Sequence, residues 1–371
     1  MILIGVMCFL LIMYGAVMMA ALYAVLQIKT YKADSTDKLE PVTIIIAARN
    51  EERHIERCLD SILAQDFPTS MLEVNVVDDH SEDGTATIIN EYVLKGVQYL
   101  KLFDEDGYGK KAALNKGIRA ATHSIIVTTD ADCLFHKSWL STLVSFRKKT
   151  NSEMVVAPVS LLASGSLLSV FQSLEFISLQ GMTMAGVSSG KLNMCNGANL
   201  LYNKAAFYAV DGFKGIDHIA TGDDMLLMEK ISEVFPGKIN YYLSKEAIVE
   251  TEPAISLKAF FQQRIRWASK AVVYKSISIK ATLLLVYILN VGLIICLIMG
   301  SFNQEFFIAY ILITLSKTLI ELPFMLKVSS FFEKQQLLFW FLPMQPLHQL
   351  YIVISGFFGL VGGVEWKGRS V

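Results

Sequence analysis

The chain has 371 residues, of which 53% are hydrophobic and only 18% charged. A soluble globular chain carries about 45–50% apolar and about 25% charged residues, so intrinsic disorder is excluded and a wholly soluble protein does not fit. The net charge of −1 excludes a strongly basic nucleic-acid binder, because neutralising phosphates takes clustered Lys and Arg.

Residues 1–28 hold no Asp, Glu, Lys or Arg. About 20 apolar residues cross a bilayer, so this run predicts a retained transmembrane anchor rather than a cleaved leader. Lys29, Lys32 and Lys38 follow it, and the positive-inside rule places the chain from residue 29 onward in the cytosol. Residues 40–252 read as a soluble α/β domain. The β-rich runs Val42–Ala47, Glu73–Val77, Val97–Leu102, Ser124–Thr129 and Met154–Ala157 alternate with helical patterns at 51–65 and 110–121. That alternation predicts parallel βαβ units in a doubly wound sheet, and ligands of such sheets bind at the carboxyl ends of the strands.

Polar residues stand at three of the first four strand ends: Ala48-Arg49-Asn50-Glu51, Asp78-Asp79-His80-Ser81-Glu82-Asp83-Gly84-Thr85, and Asp130-Ala131-Asp132. A single acidic strand end is equally a turn or helix-capping residue, and Asp83-Gly84 reads as a turn. Several converging carboxylates repel one another unless a cation or a donor-rich ligand lies among them. Asp130 and Asp132, one residue apart, suit Mg²⁺ or Mn²⁺, which takes a few carboxylates together with phosphate oxygens. Gly109-Lys110-Lys111 upstream complements a diphosphate or simply opens a solvated helix.

Further on, Cys195-Asn196-Gly197-Ala198-Asn199-Leu200-Leu201-Tyr202 follows a segment rich in Met, Ser and Gly. Thr221-Gly222-Asp223-Asp224 then leads into an apolar run, and its carboxylates are either helix caps or a general base. In Gln263-Arg264-Ile265-Arg266-Trp267, the i, i+3, i+4 spacing puts Gln263, Arg266 and Trp267 on one helix face. Phe260, Trp267 and Tyr274 recur every seven residues, which predicts an amphipathic interfacial helix over 254–276. The region 281–364 holds two to four membrane segments: 281–304, then 306–326 with Lys317 and Glu321 four apart, then 335–364 broken by Pro343 and Pro346. Lys317 and Glu321 read as a mutual pair or as a contact to a lipid head group or acceptor. The five cysteines and six histidines show no ligand spacing and read as structural or solvated.

In order and spacing these motifs resemble the membrane-bound family 2 glycosyltransferases, inverting enzymes with a GT-A fold. The resemblance rests on Ala48-Arg49-Asn50-Glu51, Asp78-Asp79, Lys110 with Ala113-Leu114-Asn115, Asp130-Ala131-Asp132, Gly222-Asp223-Asp224 and Gln263-x-x-Arg266-Trp267. Trp366-Lys367-Gly368-Arg369 also resembles membrane members, and Lys367 and Arg369 favour a cytosolic C-terminus. The resemblance implies a GT-A doubly wound, mostly parallel sheet flanked by an N-terminal transmembrane anchor and C-terminal transmembrane helices. It implies a nucleotide-sugar donor, usually a UDP-sugar, bound through Ala48, Asn50, Glu51, Asp78, Asp79, Lys110 and Asp130. Asp132, with Asp130, is the implied ligand of Mg²⁺ or Mn²⁺. The base falls on Asp224, with its twin Asp223 as the alternative. Gln263, Arg266 and Trp267 are assigned to the diphosphate and acceptor. The setting implied is a bacterial cell membrane with a cytosolic catalytic domain and a lipid or glycan acceptor. A lipid acceptor is the first expectation, a processive polysaccharide synthase the second, and a catalytically silent membrane scaffold the third.

Overall fold

A computed structural model describes residues 2–31, 39–162, 164–191, 194–219, 221–361, 365–366 and 369–370. In chain order, α1 (Ile2–Gln27) is followed by β1 (Val42–Ala48), α2 (Ile55–Leu63), β2 (Leu72–Asp78), α3 (Thr85–Val93), β3 (Val97–Lys101), α4 (Lys110–Ala120) and β4 (Ile125–Asp130). Next come β5 (Leu134–Phe135), α5 (Trp139–Thr150), β6 (Met154–Val156), β7 (Val159–Leu161), α6 (Leu167–Ser189), β8 (Leu200–Asn203) and α7 (Lys204–Ala209). The chain continues through α8 (Met225–Val234), β9 (Ile239–Tyr241), β10 (Val249–Thr251), α9 (Leu257–Ala268), α10 (Ile277–Gly300), α11 (Gln304–Phe331) and α12 (Gln345–Val361). These elements form two compact units. An α/β unit comprises Ile28–Leu162 and Asn193–Glu252, and a helical unit comprises Met1–Gln27, Ala163–Leu192 and Pro253–Val371. Residues 163–192, inside the stretch the sequence assigns to one domain, therefore pack with the terminal segments.

The α/β unit is built on a seven-stranded sheet of order β3-β2-β1-β4-β8-β6-β9. The β3-β2-β1-β4 half is parallel, as the alternating pattern predicts. Ile44, Ile45 and Ile46 are all fully buried, the mark of a strand covered on both faces. Burying each such side chain contributes about 1.5–3 kcal/mol. β8 departs from the doubly wound expectation, running antiparallel to both β4 and β6. A smaller sheet, β5-β10-β7, carries Thr251 at one strand end. Along the chain β1, β2 and β3 step to one side and β4 returns to the other side of β1. The topological switch point therefore lies between β1 and β4, and ligands bind at such points.

At the opposite ends of these strands Glu73 is buried and accepts hydrogen bonds from Thr43 Oγ1, from Thr122 N at 2.8 Å, from Thr122 Oγ1 at 3.0 Å and from Gln98 Nε2 at 3.1 Å. Burial opposes its charge, but the threonine hydrogen bonds outweigh it and hold the carboxyl below the usual range. The resulting stability is complete above the unfolded glutamate value and is lost as pH falls through the lower folded value. Glu73→Gln is expected to lower stability at neutral pH by about 1.5–3 kcal/mol. Denaturant titrations of the two proteins should converge in acid, and a gap that persists at low pH would show that the charge is not what matters.

In the helical unit three described helices, α1, α10 and α11, are long and apolar enough to cross a membrane. α1 buries Met7, Tyr14, Met18, Ala21 and Val25, a seam with the seven-, four- and three-residue spacing of coiled-coil packing. Lys317 and Glu321 do pair with each other, Nζ to Oε1 at 2.7 Å, and are joined there by Tyr14 and Gln345. The described part of the 335–364 run, up to Val361, holds a short 3₁₀ turn at Gln335–Trp340 and the 17-residue α12. Pro346 sits in its first turn, where a missing N–H is harmless. The amphipathic helix is shorter than the heptad predicts. α9 ends at Ala268, a 3₁₀ turn covers Ser269–Val272, and Tyr274 lies beyond both. The backbone of Ala268 and Ser269 packs so closely on Gly359 that a Cβ there would lie 3.0 Å from backbone atoms. Trp366 and Arg369 pair in a two-stranded hairpin. Lys367 and Gly368 lie outside the described residues, as do Lys32 and Lys38.

Candidate active site

The strand ends at the switch point are tied together by backbone and buried carboxylates. Ala48 contributes its carbonyl, which accepts Asp79 N at 2.8 Å. Arg49 donates to the carbonyls of Asp79 (2.9 Å) and His80 (3.2 Å). Asn50 adopts φ 52, a region Asn tolerates, and its Oδ1 accepts Glu82 N at 2.9 Å. Asp78 is buried, with Oδ1 accepting Ser81 N and Oδ2 accepting Tyr99 OH, each at 3.0 Å. Burial and Asp78 push the Tyr99 phenol up to about 12. Asp79, also buried, accepts Gly109 N at 3.0 Å, which fixes the start of α4. Two histidines read from sequence as structural stand beside candidate nucleotide ligands: His80 Nδ1 lies 3.1 Å from Asp79 Oδ1 and His54 Nδ1 3.1 Å from Glu51 Oε2.

Lys110 is the hub. Its Nζ lies 2.5 Å from Asp130 Oδ1 and 3.2 Å from Asp223 Oδ2. Burial works against this ammonium, but Asp130 and Asp223 outweigh it and hold its pKa above the ordinary lysine value. Asp224 sits at the N-cap of α8, where Oδ1 accepts Met225 N at 2.7 Å and Oδ2 accepts Gly197 N at 3.2 Å. Asp130, Lys110, Asp223 and Asp224 therefore meet, although Asp130 and Asp223 are 93 residues apart in sequence. Lys111 points away from this group, into the loop before Gly222.

Gly197 is the site residue to which sequence reasoning gave no role. A Cβ there would lie 3.0 Å from Lys110 Nζ, 3.1 Å from Asp223 Oδ2 and 3.5 Å from Asp224 Cβ. Its neighbour Asn199, fully buried, accepts Trp139 Nε1 at 3.0 Å and donates to the carbonyls of Pro158 and Ala247, both at 2.8 Å. Asn199 thereby holds the loop that presents Gly197. Displacing reacting groups by about 1 Å costs on the order of 10²-fold in rate, so the smaller shift forced by Gly197→Ala is expected to slow turnover by about tenfold. Turnover compared with the melting temperature checks this, and an unchanged rate would remove Gly197 from the site.

Asp132 accepts Thr251 Oγ1 at 2.9 Å. Burial first, then Asp130 and Glu51, push its carboxyl up to about 6. Among the described residues no three His, Cys, Asp or Glu side chains form a ready metal cage. Carboxylates that crowd one another nevertheless suit a hard ion that draws its remaining ligands from phosphate and water. The donor set fits Mg²⁺ or Mn²⁺ better than a softer metal.

Gln263, Arg266 and Trp267 lie on α9 of the helical unit, all half-buried. Between them the buried Arg264 bonds Glu175 of α6 through Nε (3.0 Å) and Nη2 (2.5 Å), and donates to Gln263 Oε1. Its guanidinium centre lies 4.7 Å from the Phe260 ring and 4.2 Å from the Trp267 ring. Tyr351 OH completes the cluster by donating to Glu175 Oε1 at 3.0 Å.

Residues 43–210 match the family described as glycosyl transferase family 2. The glycosyltransferase AglE of Haloferax volcanii is 28% identical over 190 residues, covering 51% of this chain and 60% of that protein. A poly-beta-1,6-N-acetyl-D-glucosamine synthase of Staphylococcus epidermidis is 27% identical over 234 residues, covering 62% of this chain and 54% of that protein. The chain thus spans only part of the length of these relatives. Among solved structures, the mannosyltransferase PcManGT from Pyrobaculum calidifontis, in complex with GDP-Man and Mn²⁺, has a TM-score of 0.56 at 18% identity, covering 95% of this chain and 98% of that one. That likeness is one of fold.

Proposed function

We propose that the chain, whose residues 43–210 match glycosyl transferase family 2, is an inverting glycosyltransferase of GT-A fold that moves a sugar from a nucleotide-sugar, in our reading a UDP-sugar, to a membrane lipid. The observation that carries the reading is Lys110 standing between Asp130 and Asp223, with Asp224 beside them across Gly197. In that arrangement Asp224 takes the proton of the acceptor hydroxyl as its oxygen attacks the anomeric carbon. The bond from that carbon to the diphosphate breaks on the opposite face, and Lys110 offsets the negative charge that develops on the leaving group. Glu51 and Asp79 orient the nucleoside. Asp132, with Asp130, would hold Mg²⁺ or Mn²⁺, which when bound supplies charge neutralisation for the diphosphate. The apolar helices favour a lipid acceptor, concentrated in the same bilayer as the enzyme. The S. epidermidis relative, named for polymer synthesis, is what favours the second reading, a processive synthase. Lys29 after α1 supports a cytosolic α/β unit, where nucleotide sugars are made.

One experiment tests these points together. Membrane vesicles of both orientations are incubated with several nucleotide sugars, with and without excess chelator, and the lipid and polymer fractions are analysed by mass spectrometry. The expected result is a single sugar on a lipid, formed in inside-out vesicles and abolished by chelator. Sugar confined to polymer selects the synthase, chelator-resistant transfer removes the metal, and transfer only in right-side-out vesicles inverts the orientation.

A further inference from the structure

Between α7 and α8, residues 211–218 run through successive turns, and residues 221–224 bring the acid pair to the site. Lys111, the second residue of α4, reaches into this loop. Its Nζ donates to Ile216 O at 2.6 Å, Ile219 O at 2.5 Å and Thr221 O at 2.9 Å. An ammonium has three N–H bonds, and here three carbonyls converge on it. The side chain is only 7% exposed, which excludes a solvated helix start. On another stretch of the loop Lys230 of α8 donates to Gly212 O at 2.6 Å and Lys214 O at 2.9 Å. One residue beyond Thr221 the chain turns at Gly222, φ +79, and enters Asp223 and Asp224.

Burying a charge is unfavourable unless it is fully paired, and an apolar side chain would fill the same space without that penalty. What the charge adds is direction, since three carbonyls spaced along the loop must face one point. Lys110 and Lys111 therefore grip one loop from adjacent positions. Lys111 holds its backbone just before Gly222, and Lys110 holds the first carboxylate just after.

We propose that Lys111 is a positioning residue of the transfer reaction. Through the carbonyls of Ile216, Ile219 and Thr221 it sets the loop that aims Asp224 at the acceptor hydroxyl. This rests on the reading of Asp224 as the base. The test uses the full chain in native membranes, with transfer followed as nucleoside diphosphate release. Donor-site integrity is read separately, from binding of UDP and of GDP in Mn²⁺ buffer. Lys111→Met is expected to lower kcat by about 10–100-fold, the scale of a misplaced reacting group, with donor KM and nucleotide binding within about twofold of wild type. Lys111→Gln keeps two donors and should fall between. In the Asp224→Asn background Lys111→Met should add less than about threefold, because the two changes disable one device.

A wild-type kcat in either variant overturns the proposal. Loss of nucleotide binding in both also overturns it, since Lys111 then serves folding alone. A full, additive loss in the Asp224→Asn background overturns it as well. A near-wild-type Asp224→Asn beside a slow Lys111→Met sinks the reading of the base alone, and the proposal is then decided by the same non-additivity against Asp223→Asn.

Discussion

Asp224→Asn is expected to slow transfer by about 10²–10⁴-fold, the usual contribution of general-base catalysis, while nucleotide binding changes little. Asparagine keeps the size and one acceptor oxygen. However, Asp224 accepts Met225 N on one oxygen and Gly197 N on the other, so the new amide must present N–H groups to one of those donors. A loss of about 1 kcal/mol in stability should accompany the change, the scale of one unmade hydrogen bond. Asp223→Asn is the control. It removes one of the two carboxylates on Lys110 and should slow turnover by roughly tenfold, about one charge-assisted hydrogen bond. Steady-state transfer measured beside independent nucleotide binding decides between them. A near-wild-type Asp224→Asn with a collapsed Asp223→Asn moves the base one residue back. Near-wild-type rates for both leave the site without a base.

What was legible in the sequence followed from how each signal is encoded. β1, β2 and β4 are buried on both faces, so they appear as runs dominated by apolar residues, and the acids that follow at their ends stand out visibly. α1, α10 and α11 are legible for the same reason, as long stretches poor in charge. β8 was not, because Leu200-Leu201-Tyr202 is too short to carry a period, and its antiparallel place is decided by β4 and β6. Lys110 and Lys111 are chemically identical neighbours. Only the backbone decides that one meets Asp130 and the other meets three carbonyls. The dependence of Arg264 on Glu175, 89 residues earlier, leaves no local mark in either segment. Asp78 and Asp79 looked equivalent as ligands, yet Asp78 accepts from Ser81 and Tyr99 whereas Asp79 meets Gly109 N and His80. Gly197 drew attention only as part of an unusual polar run, and its role lies in the space its missing Cβ leaves for Lys110 and Asp223.

Lys317→Met is expected to lower the stability of the helical unit by about 3–5 kcal/mol, because it leaves Glu321 buried without its counter-charge. Lys317 is 1% and Glu321 6% exposed, so water cannot take over the role. Lys317 also donates to Gln345 Oε1 at 3.0 Å, Gln345 Nε2 donates to Glu321 Oε2 at 3.0 Å, and Tyr14 OH donates to Glu321. The pair thus holds α1, α11 and α12 in register, and its loss is felt on all three. Removing both charges in Lys317→Met/Glu321→Met should recover most of the deficit, since apolar replacements of a buried pair are often neutral. Recovery stops short of wild type because Tyr14 OH and the Gln345 amide then lack partners, at about 1–3 kcal/mol. Reversible unfolding in mixed micelles, run on both single variants and the double, measures the coupling directly. Stability in the order wild type, double, single supports the pair as an interhelical lock. A Lys317→Met protein as stable as wild type, or a double variant weaker than either single, would show that the three helices hold their register without it.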